Sequence, residues 1–166
     1  GFFSSRPREK VLEIMRDSRT GPMGVMAIVC VLILKVTLLA FVPPGARWWV
    51  LILTPLAGRS ALLIHMAVIP YARPQGGLAS LFYAHRFRLY LVWAGVATSG
   101  IGWTAGGWAG LAAGLCAFVF GLLFSGYVYR RIGGSTGDTL GAACELTELI
   151  PALACVIWAH RGLAAI

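Results

Sequence analysis

The chain has 166 residues, of which 58% are apolar and only 12% are charged. Its mean hydropathy of +0.79 lies outside the range of soluble globular proteins. These values exclude an ordinary soluble domain and predict an all-α fold, a polytopic integral membrane helical bundle with the lipid bilayer as a partner. The formal net charge of +8 is interpreted as a topology signal, so no nucleic-acid partner is expected.

The N-terminal segment, residues 1–20, predicts an amphipathic helix at the membrane surface. Glu9, Glu13 and Asp17 follow an i, i+4, i+8 spacing, and apolar residues lie on the opposite side. Their like charges need offsetting partners, which are either nearby arginines or a bound cation. The segment has neither the apolar core nor the cleavage site of a signal peptide. We therefore expect the true start of the protein to lie upstream of Gly1.

Apolar runs near the roughly 20 residues needed to cross a bilayer predict about five transmembrane helices, within a single domain covering residues 1–166. The short third run and the fourth run flank a glycine-rich turn, which predicts a tight helical hairpin. The predicted spans are residues 23–42, 48–70, 89–103, 107–129 and 139–160.

Basic residues accumulate in three regions: the N-terminal segment, the loop after the second span and the loop before the fifth. With five spans, these regions share one membrane face, which the positive-inside rule assigns to the cytoplasm. The predicted localisation is the bacterial inner (cytoplasmic) membrane, with the candidate site at its cytoplasmic face. An oligomer is compatible with the sequence.

The stretch GGSTGDTLGAACELTELIP, residues 133–151, carries three of the six acidic residues. On a helix that starts near Asp138, Glu145 and Glu148 share one face with it, about 10 and 15 Å along the axis. Acids at such depths in a membrane are functional candidates, and the preceding Gly, Ser and Thr residues are typical of an anion-binding helix N-terminus. The pattern favours a metal-bridged phosphate site. The structural alternative makes Asp138 an N-cap and pairs both glutamates with basic residues.

Lys35 and Arg59 are the basic residues inside predicted spans. Either side chain could neutralise Glu145 or Glu148, or could hold phosphate oxygens. The three histidines and four cysteines show no metal-ligand spacing, and they are predicted to be packing or interfacial residues.

Two long motifs resemble those of the cobalamin synthases, or adenosylcobinamide-GDP ribazoletransferases. The first is LEIMRDSRTGPMG at residues 12–24, followed by Lys35 in the next span, and the second is GGSTGDTLGAACELTE at residues 133–148. The span that contains Arg59 and the loop YARPQGGL at residues 71–78 are similar as well. Members of this family also carry an aspartate-rich motif, DGLADxxDG, which is expected immediately upstream of this sequence.

The resemblance implies a membrane transferase that joins α-ribazole, or its 5′-phosphate, to adenosylcobinamide-GDP and releases GMP with the help of Mg²⁺. It implies metal ligands among Asp138, Glu145 and Glu148. Glu148 is alternatively the base for the attacking hydroxyl, and Asp17 would join this group from the surface helix. The residues expected to hold the substrates are Ser18, Arg19, Lys35, Arg59, Thr136 and Gly137.

A secondary transporter or channel is the alternative function, in which intramembrane Lys, Arg and Glu side chains would line a path. It predicts inverted repeats and broken helices, neither of which is evident in the sequence. A third hypothesis is a structural membrane subunit, in which the buried charges only pair with one another.

Overall fold

Helical segments follow one another along the chain with short connections. A computed structural model describes residues 7–15, 20–72, 83 and 89–162. These residues form six α-helices and one short 3₁₀ helix. In chain order they are α1 (Arg8–Ile14), α2 (Pro22–Phe41), the 3₁₀ helix (Pro44–Ala46), α3 (Arg47–Val68), α4 (Leu89–Ile132), α5 (Gly137–Thr147) and α6 (Leu149–His160).

Proline sets both ends of α2. Pro22 occupies its first turn, where the missing N–H costs nothing because that position has no helical acceptor. At the other end Val42 precedes Pro43 and is extended, with φ −63° and ψ 127°. A residue before proline is driven away from the helical region, so α2 stops there. The short 3₁₀ helix then turns the chain back into α3.

The all-α membrane fold is confirmed. Four helical segments are long and apolar enough to cross a membrane, and the predicted spans lie within them except for one or two residues at the ends of the first two. The third segment is α4, which contains both the third and the fourth predicted span. The predicted number of five crossings counts the two parts of α4 separately, and that number stays a prediction. The four segments are Pro22–Phe41, Pro44–Val68, Leu89–Ile132 and Gly137–His160.

The predicted hairpin is present inside α4. Gly107 reverses the chain with φ 56° and ψ −139°, a conformation open to glycine. A Cβ atom on Gly102 would collide with the backbone carbonyl of Gly110, and one on Gly114 would collide with that of Thr98. The two arms, residues 89–106 and 108–132, therefore pack backbone to backbone, as small residues allow in membrane helices.

The described parts of the three basic regions, which are α1, the residues that directly follow α3 and the loop before α5, lie at one end of the bundle. Val11 of α1 packs with Ile69, at the end of α3, and with Val128 and Ile132, near the end of α4. The segment after α3 pairs with the loop before α5, since the N–H of Ser135 donates to the Pro70 carbonyl at 2.7 Å. This shared end agrees with the distribution of Lys and Arg.

Helix α1 is shorter than the predicted surface helix, with seven residues. Val11 is fully buried, so part of the apolar side of α1 contacts the bundle rather than lipid. Lys10 Nζ lies 2.9 Å from Glu13 Oε2 in an exposed ion pair. A lysine thus offsets one of the N-terminal acids. The arginines expected in this role, Arg6, Arg16 and Arg19, lie outside the described residues, so the choice between arginine partners and a bound cation stays open.

Tryptophans mark the opposite end of the bundle. Trp48 and Trp49 open α3, Trp103 and Trp108 flank the reversal of α4, and Trp158 lies near the end of α6. The rings of Trp103 and Trp108 meet edge to face, with centroids 4.6 Å apart. Because Trp favours the headgroup level of a bilayer, this end is expected to lie at one membrane surface.

Candidate functional site

The N-terminus of α5 is closed by a capping box. The Thr139 N–H donates to Thr136 Oγ1 at 3.3 Å, and the Thr136 N–H donates to Thr139 Oγ1 at 2.9 Å. Both threonines are buried, whereas Gly137 and Asp138 in the first turn are exposed. Thr136 is the N-cap, so the structural alternative is wrong in giving this role to Asp138, whereas its pairing of both glutamates with basic residues is observed. The cap leaves the N–H groups of Gly137 and Asp138 at a helix end that favours anions.

Two glycines let neighbouring segments approach the loop before α5. A Cβ atom on Gly134 would lie 2.7 Å from the Pro70 carbonyl oxygen, and one on Gly133 would lie 2.9 Å from Arg8 Cζ. Gly133 also has φ +71°, which favours glycine. The Arg8 guanidinium therefore lies against the loop. Sequence reasoning missed Arg8, since nothing in the spacing of α1 marks it out.

Lys35 joins both intramembrane glutamates. Its ammonium lies 2.6 Å from Glu145 Oε2 and 2.6 Å from Glu148 Oε2. Lys35 lies 13 residues after the start of α2, about 20 Å along the axis, which places the cluster well inside an apolar helix. A shared ammonium offsets the cost of carboxylates at membrane depth.

Arg59 reaches the same cluster from α3. Its Nη1 lies 3.5 Å from Glu148 Oε1 and 2.8 Å from Cys144 Sγ. Gly58 makes this approach feasible, because a Cβ atom there would lie 2.6 Å from Glu148 Cγ and 3.0 Å from Cys144 Sγ. Cys144 was expected only to pack. The sequence signal that could have found it is its i, i+4 spacing from Glu148.

The formal charges of Lys35, Arg59, Glu145 and Glu148 cancel, but the four side chains differ in their exposed fraction. The side chain of Glu148 is 14% exposed and that of Lys35 is 20% exposed, whereas Glu145 is 55% and Arg59 is 66% exposed. Lys35 and Glu148 thus form the inner pair. The more exposed side chains, Glu145 and Arg59, are accessible to a ligand.

The predicted fifth span lies in one helical segment, Gly137–His160, with a local irregularity at Glu148, where the backbone torsions stay helical at φ −61° and ψ −20°. Sequence reasoning missed this irregularity. Pro151 has no N–H to offer the Thr147 carbonyl, so α5 ends at Thr147 and α6 begins at Leu149. The hydroxyl oxygens of Thr54 and Thr147 are buried and lack a hydrogen-bond partner among the described residues. The residue before Glu148 thus carries a buried hydroxyl with no hydrogen-bond partner among the described residues.

An apolar groove of about 540 Å³ runs between α2 and α5. Glu145 lies in its wall, so the exposed side of this carboxylate faces a space large enough for a small organic group. The groove is lined by Ala27, Ile28, Val31, Leu32, Ala142, Glu145 and Leu146.

The fold gathers some of the predicted site residues and separates others. Lys35, Arg59, Glu145 and Glu148 meet in one cluster. Asp138 lies seven residues before Glu145, about 10 Å along α5, at the capped end with Thr136 and Gly137. The predicted site residues Asp17, Ser18 and Arg19 lie outside the described residues. Within the described ranges, no group of three or more His, Cys, Asp or Glu residues is placed to hold a metal ion.

These features define a polytopic helical membrane protein with a cluster of opposite charges between its helices and an anion-favouring helix end nearby. The sequence model for cobalamin-5-phosphate synthase matches residues 1–156. The chain therefore belongs to this family, and the resemblance carried by its two long motifs is confirmed.

Curated relatives named adenosylcobinamide-GDP ribazoletransferase align with most of the chain. The protein of Clostridium acetobutylicum is 36% identical over 152 residues, 89% of this chain and 59% of the relative. The protein of Clostridium novyi is 35% identical over 163 residues, which are 98% of this chain and 65% of the relative. The protein of Pseudomonas fluorescens is 41% identical over 145 residues, which are 85% of this chain and 58% of the relative. The chain thus spans about 60% of the length of these relatives. No solved structure matches the chain.

Proposed function

We propose that the protein is a Mg²⁺-dependent adenosylcobinamide-GDP ribazoletransferase of cobalamin biosynthesis. It would join α-ribazole, or its 5′-phosphate, to adenosylcobinamide-GDP. The observation that carries this proposal is the meeting of Glu145 and Glu148 with Lys35 and Arg59, within about three turns of the capped N-terminus of α5. Family membership and the names of the relatives support it.

The donor set fits a magnesium ion held largely by its substrate. Mg²⁺ in phosphate sites usually combines one or two carboxylates with waters and phosphate oxygens, and it does not need a cage of protein ligands. Asp138 is our first choice as ligand because its exposed side chain lies in the first turn of α5. Glu145 is the second, since it is 55% exposed. When bound, the ion would neutralise charge on the diphosphate.

Substrate phosphates are proposed to bind at the α5 N-terminus. The N–H groups of Gly137 and Asp138 offer backbone donors there, and the Thr136 cap orients them. Arg59 has an exposed guanidinium that can fork around phosphate oxygens. Lys35 and Glu148 form the inner ion pair, so we assign them to positioning Glu145 and Arg59.

The bond changes follow from the products. The ribazole hydroxyl oxygen forms a bond to the phosphorus next to the cobinamide, the P–O bond to GMP breaks, and the hydroxyl proton leaves to a base. Positioning and charge neutralisation supply most of the catalysis in such transfers.

The test uses membranes from cells that express the protein from its complete gene. Adenosylcobinamide-GDP and α-ribazole are supplied with Mg²⁺, and GMP release is measured by chromatography. We expect GMP only when both substrates and Mg²⁺ are present, and its loss on chelation. Membranes that contain the protein but release no GMP under these conditions would contradict the proposal.

The transporter alternative predicts broken helices. Between α5 and α6, Glu148 keeps helical torsions of φ −61° and ψ −20°, so this junction does not support it. The missing backbone hydrogen bond there follows from Pro151. The same membranes, sealed as vesicles, distinguish the two functions, since a transporter would accumulate substrate without forming GMP.

The proposed location is the bacterial inner membrane, with the site at the cytoplasmic face. It is supported by the shared end of α1, the segment after α3 and the loop before α5. Lys and Arg accumulate at that end, as they do in cytoplasmic loops.

A further inference from the structure

His65 is a fully buried histidine that the proposed chemistry does not use. It lies on α3, and its two ring nitrogens reach two other helices. Nδ1 lies 2.9 Å from Ser125 Oγ of α4, and Nε2 lies 3.3 Å from Thr139 Oγ1 of α5. Each hydroxyl has only one proton to donate: Thr139 Oγ1 donates to the Thr136 carbonyl at 3.0 Å, and Ser125 Oγ lies 2.7 Å from the Gly121 carbonyl. We therefore assign the single N–H of neutral His65 to Nε2, which donates to Thr139 Oγ1.

The Thr139 contact connects His65 to the capping box. Thr139 Oγ1 accepts from the Thr136 N–H at 2.9 Å and donates to the Thr136 carbonyl at 3.0 Å. The position of one buried hydroxyl group therefore contributes to the cap of α5. His65 is the group from a neighbouring helix that holds this hydroxyl.

The same helix holds α5 at a second place. Arg59, six residues before His65 on α3, contacts Cys144 and Glu148. Helices α3 and α5 are thus connected near the start of α5 by His65 and near its end by Arg59. These two connections set how the exposed first turn of α5 lies relative to the charged cluster.

We propose that His65 is a positioning residue, which fixes the Thr136–Thr139 cap and thereby the N–H groups of Gly137 and Asp138 that receive substrate phosphate. The expected effect of His65 on catalysis rests on the proposed function. The expected effect of His65 on the cap of α5 does not depend on that function. A loosened cap would weaken binding of the phosphates before it affects the chemical step.

Two pairs of variants separate this role from simple core packing. His65→Gln places an amide near the position of Nε2 and keeps a partner for Thr139, and Ser125→Ala also leaves the Thr139 contact in place. His65→Asn places its amide near Nδ1 and loses the Thr139 contact, as does Thr139→Val. Each variant removes hydrogen bonding from the same buried network.

Hydrogen exchange of the Thr136 and Thr139 amides is the first measurement, made on the purified full chain in detergent. Losing one buried hydrogen bond is expected to speed exchange about tenfold in His65→Asn and Thr139→Val. His65→Gln and Ser125→Ala should exchange at close to the wild-type rate. Equal acceleration in all four variants, in step with their thermal stability, would show that His65 only packs the core. Unchanged exchange in both His65→Asn and Thr139→Val would also overturn the proposal.

GMP release is the second measurement. We expect KM for adenosylcobinamide-GDP to rise about tenfold in His65→Asn with a smaller change in kcat, and to stay near the wild-type value in His65→Gln. A fall in kcat alone, or no rescue by Gln, would contradict the positioning role. If the wild-type protein releases no GMP, the proposed function fails, while the exchange pattern still decides whether His65 controls the cap.

Discussion

The ammonium of Lys35 lies 2.6 Å from Glu148 Oε2, although the two residues are 113 positions apart in the chain. Lys35 is the charged residue of an otherwise apolar helix, and Glu148 lies where α5 gives way to α6. Glu145 shares the same ammonium at 2.6 Å. The pair thus joins α2 to the segment formed by α5 and α6 and keeps two carboxylates close together, which their mutual repulsion would otherwise oppose.

Breaking this pair from one side should destabilise the protein. Lys35→Met leaves the buried Glu148 carboxylate without its nearest partner, and Glu148→Gln leaves the ammonium with Glu145. For largely buried charges such a loss costs roughly 3–5 kcal/mol. We expect both single variants to accumulate poorly in the membrane, as measured by immunoblotting and thermal unfolding in detergent.

The double variant Lys35→Met with Glu148→Gln tests whether the ion pair serves only stability or also catalysis. Replacing both charges should restore much of the abundance, because neither charge is left buried alone. GMP release should stay lost if the cluster positions the catalytic groups. Activity that returned in step with abundance would show that these residues are only structural counter-charges.

Gly58→Ala should move Glu148 without removing any charge. The new Cβ would lie 2.6 Å from Glu148 Cγ and 2.6 Å from its Oε1. A flexible side chain can shift away, so we expect the protein to accumulate while GMP release falls about tenfold, the rate equivalent of roughly 1.4 kcal/mol. The matched control is Gly126→Ala, since a Cβ there meets nothing within 4 Å. Equal activity in the two variants would show that the position of Glu148 does not matter.

The Thr147 hydroxyl is expected to be dispensable for stability. It is buried without a hydrogen-bond partner among the described residues, so Thr147→Val exchanges an unsatisfied polar group for a methyl group. We expect thermal stability to stay the same or rise slightly. Thr139→Val is the control and should destabilise, because that hydroxyl belongs to the capping box. A marked loss in Thr147→Val would reveal a partner such as a bound water.

The sequence predicted most of the helices, because a membrane span shows as a long run of apolar residues. Twenty mostly apolar residues between Pro22 and Pro43 predict a span, and α2 follows that prediction closely. The hairpin at Gly107 was also predicted, since its glycines lie at helical spacing. The irregularity at Glu148 was missed, because Pro151 lies in the first turn of the next helix and looks tolerable there.

The charged cluster was only partly predictable. Glu145 and Glu148 stand out as acids in an apolar run, and Lys35 and Arg59 stand out as bases in theirs. Pairing across 113 residues depends on the packing of helices, which spacing within one helix does not determine. Arg8 and His65 were missed for the same reason, since both act across helices.

The membrane orientation can be tested at the two ends of α2. Gly21 and Gly45 are exposed, and a Cβ on either meets nothing within 4 Å, so Gly21→Cys and Gly45→Cys should fold. In a background without the native cysteines, a membrane-impermeant maleimide should label Gly45→Cys in intact cells. Gly21→Cys should be labelled only after permeabilisation, because its end carries the basic residues. The reverse pattern would place the candidate site on the outer face.

Asp138→Asn tests the proposed metal ligand with little change in shape. Thr136 caps α5 and Asp138 does not, so loss of the carboxylate costs only its favourable interaction with the helix dipole, about 0.3–1 kcal/mol. We therefore expect the variant to insert and to unfold at nearly the wild-type temperature. As a Mg²⁺ ligand, Asp138 should nonetheless be needed for turnover, and the Mg²⁺ concentration for half-maximal GMP release should rise or activity should vanish. Thr20→Asn is a matched control at the same end of the bundle, since Thr20 is exposed and outside any helix. Wild-type GMP release and an unchanged Mg²⁺ requirement in Asp138→Asn would remove this residue from the metal site and leave Glu145 as the carboxylate to examine.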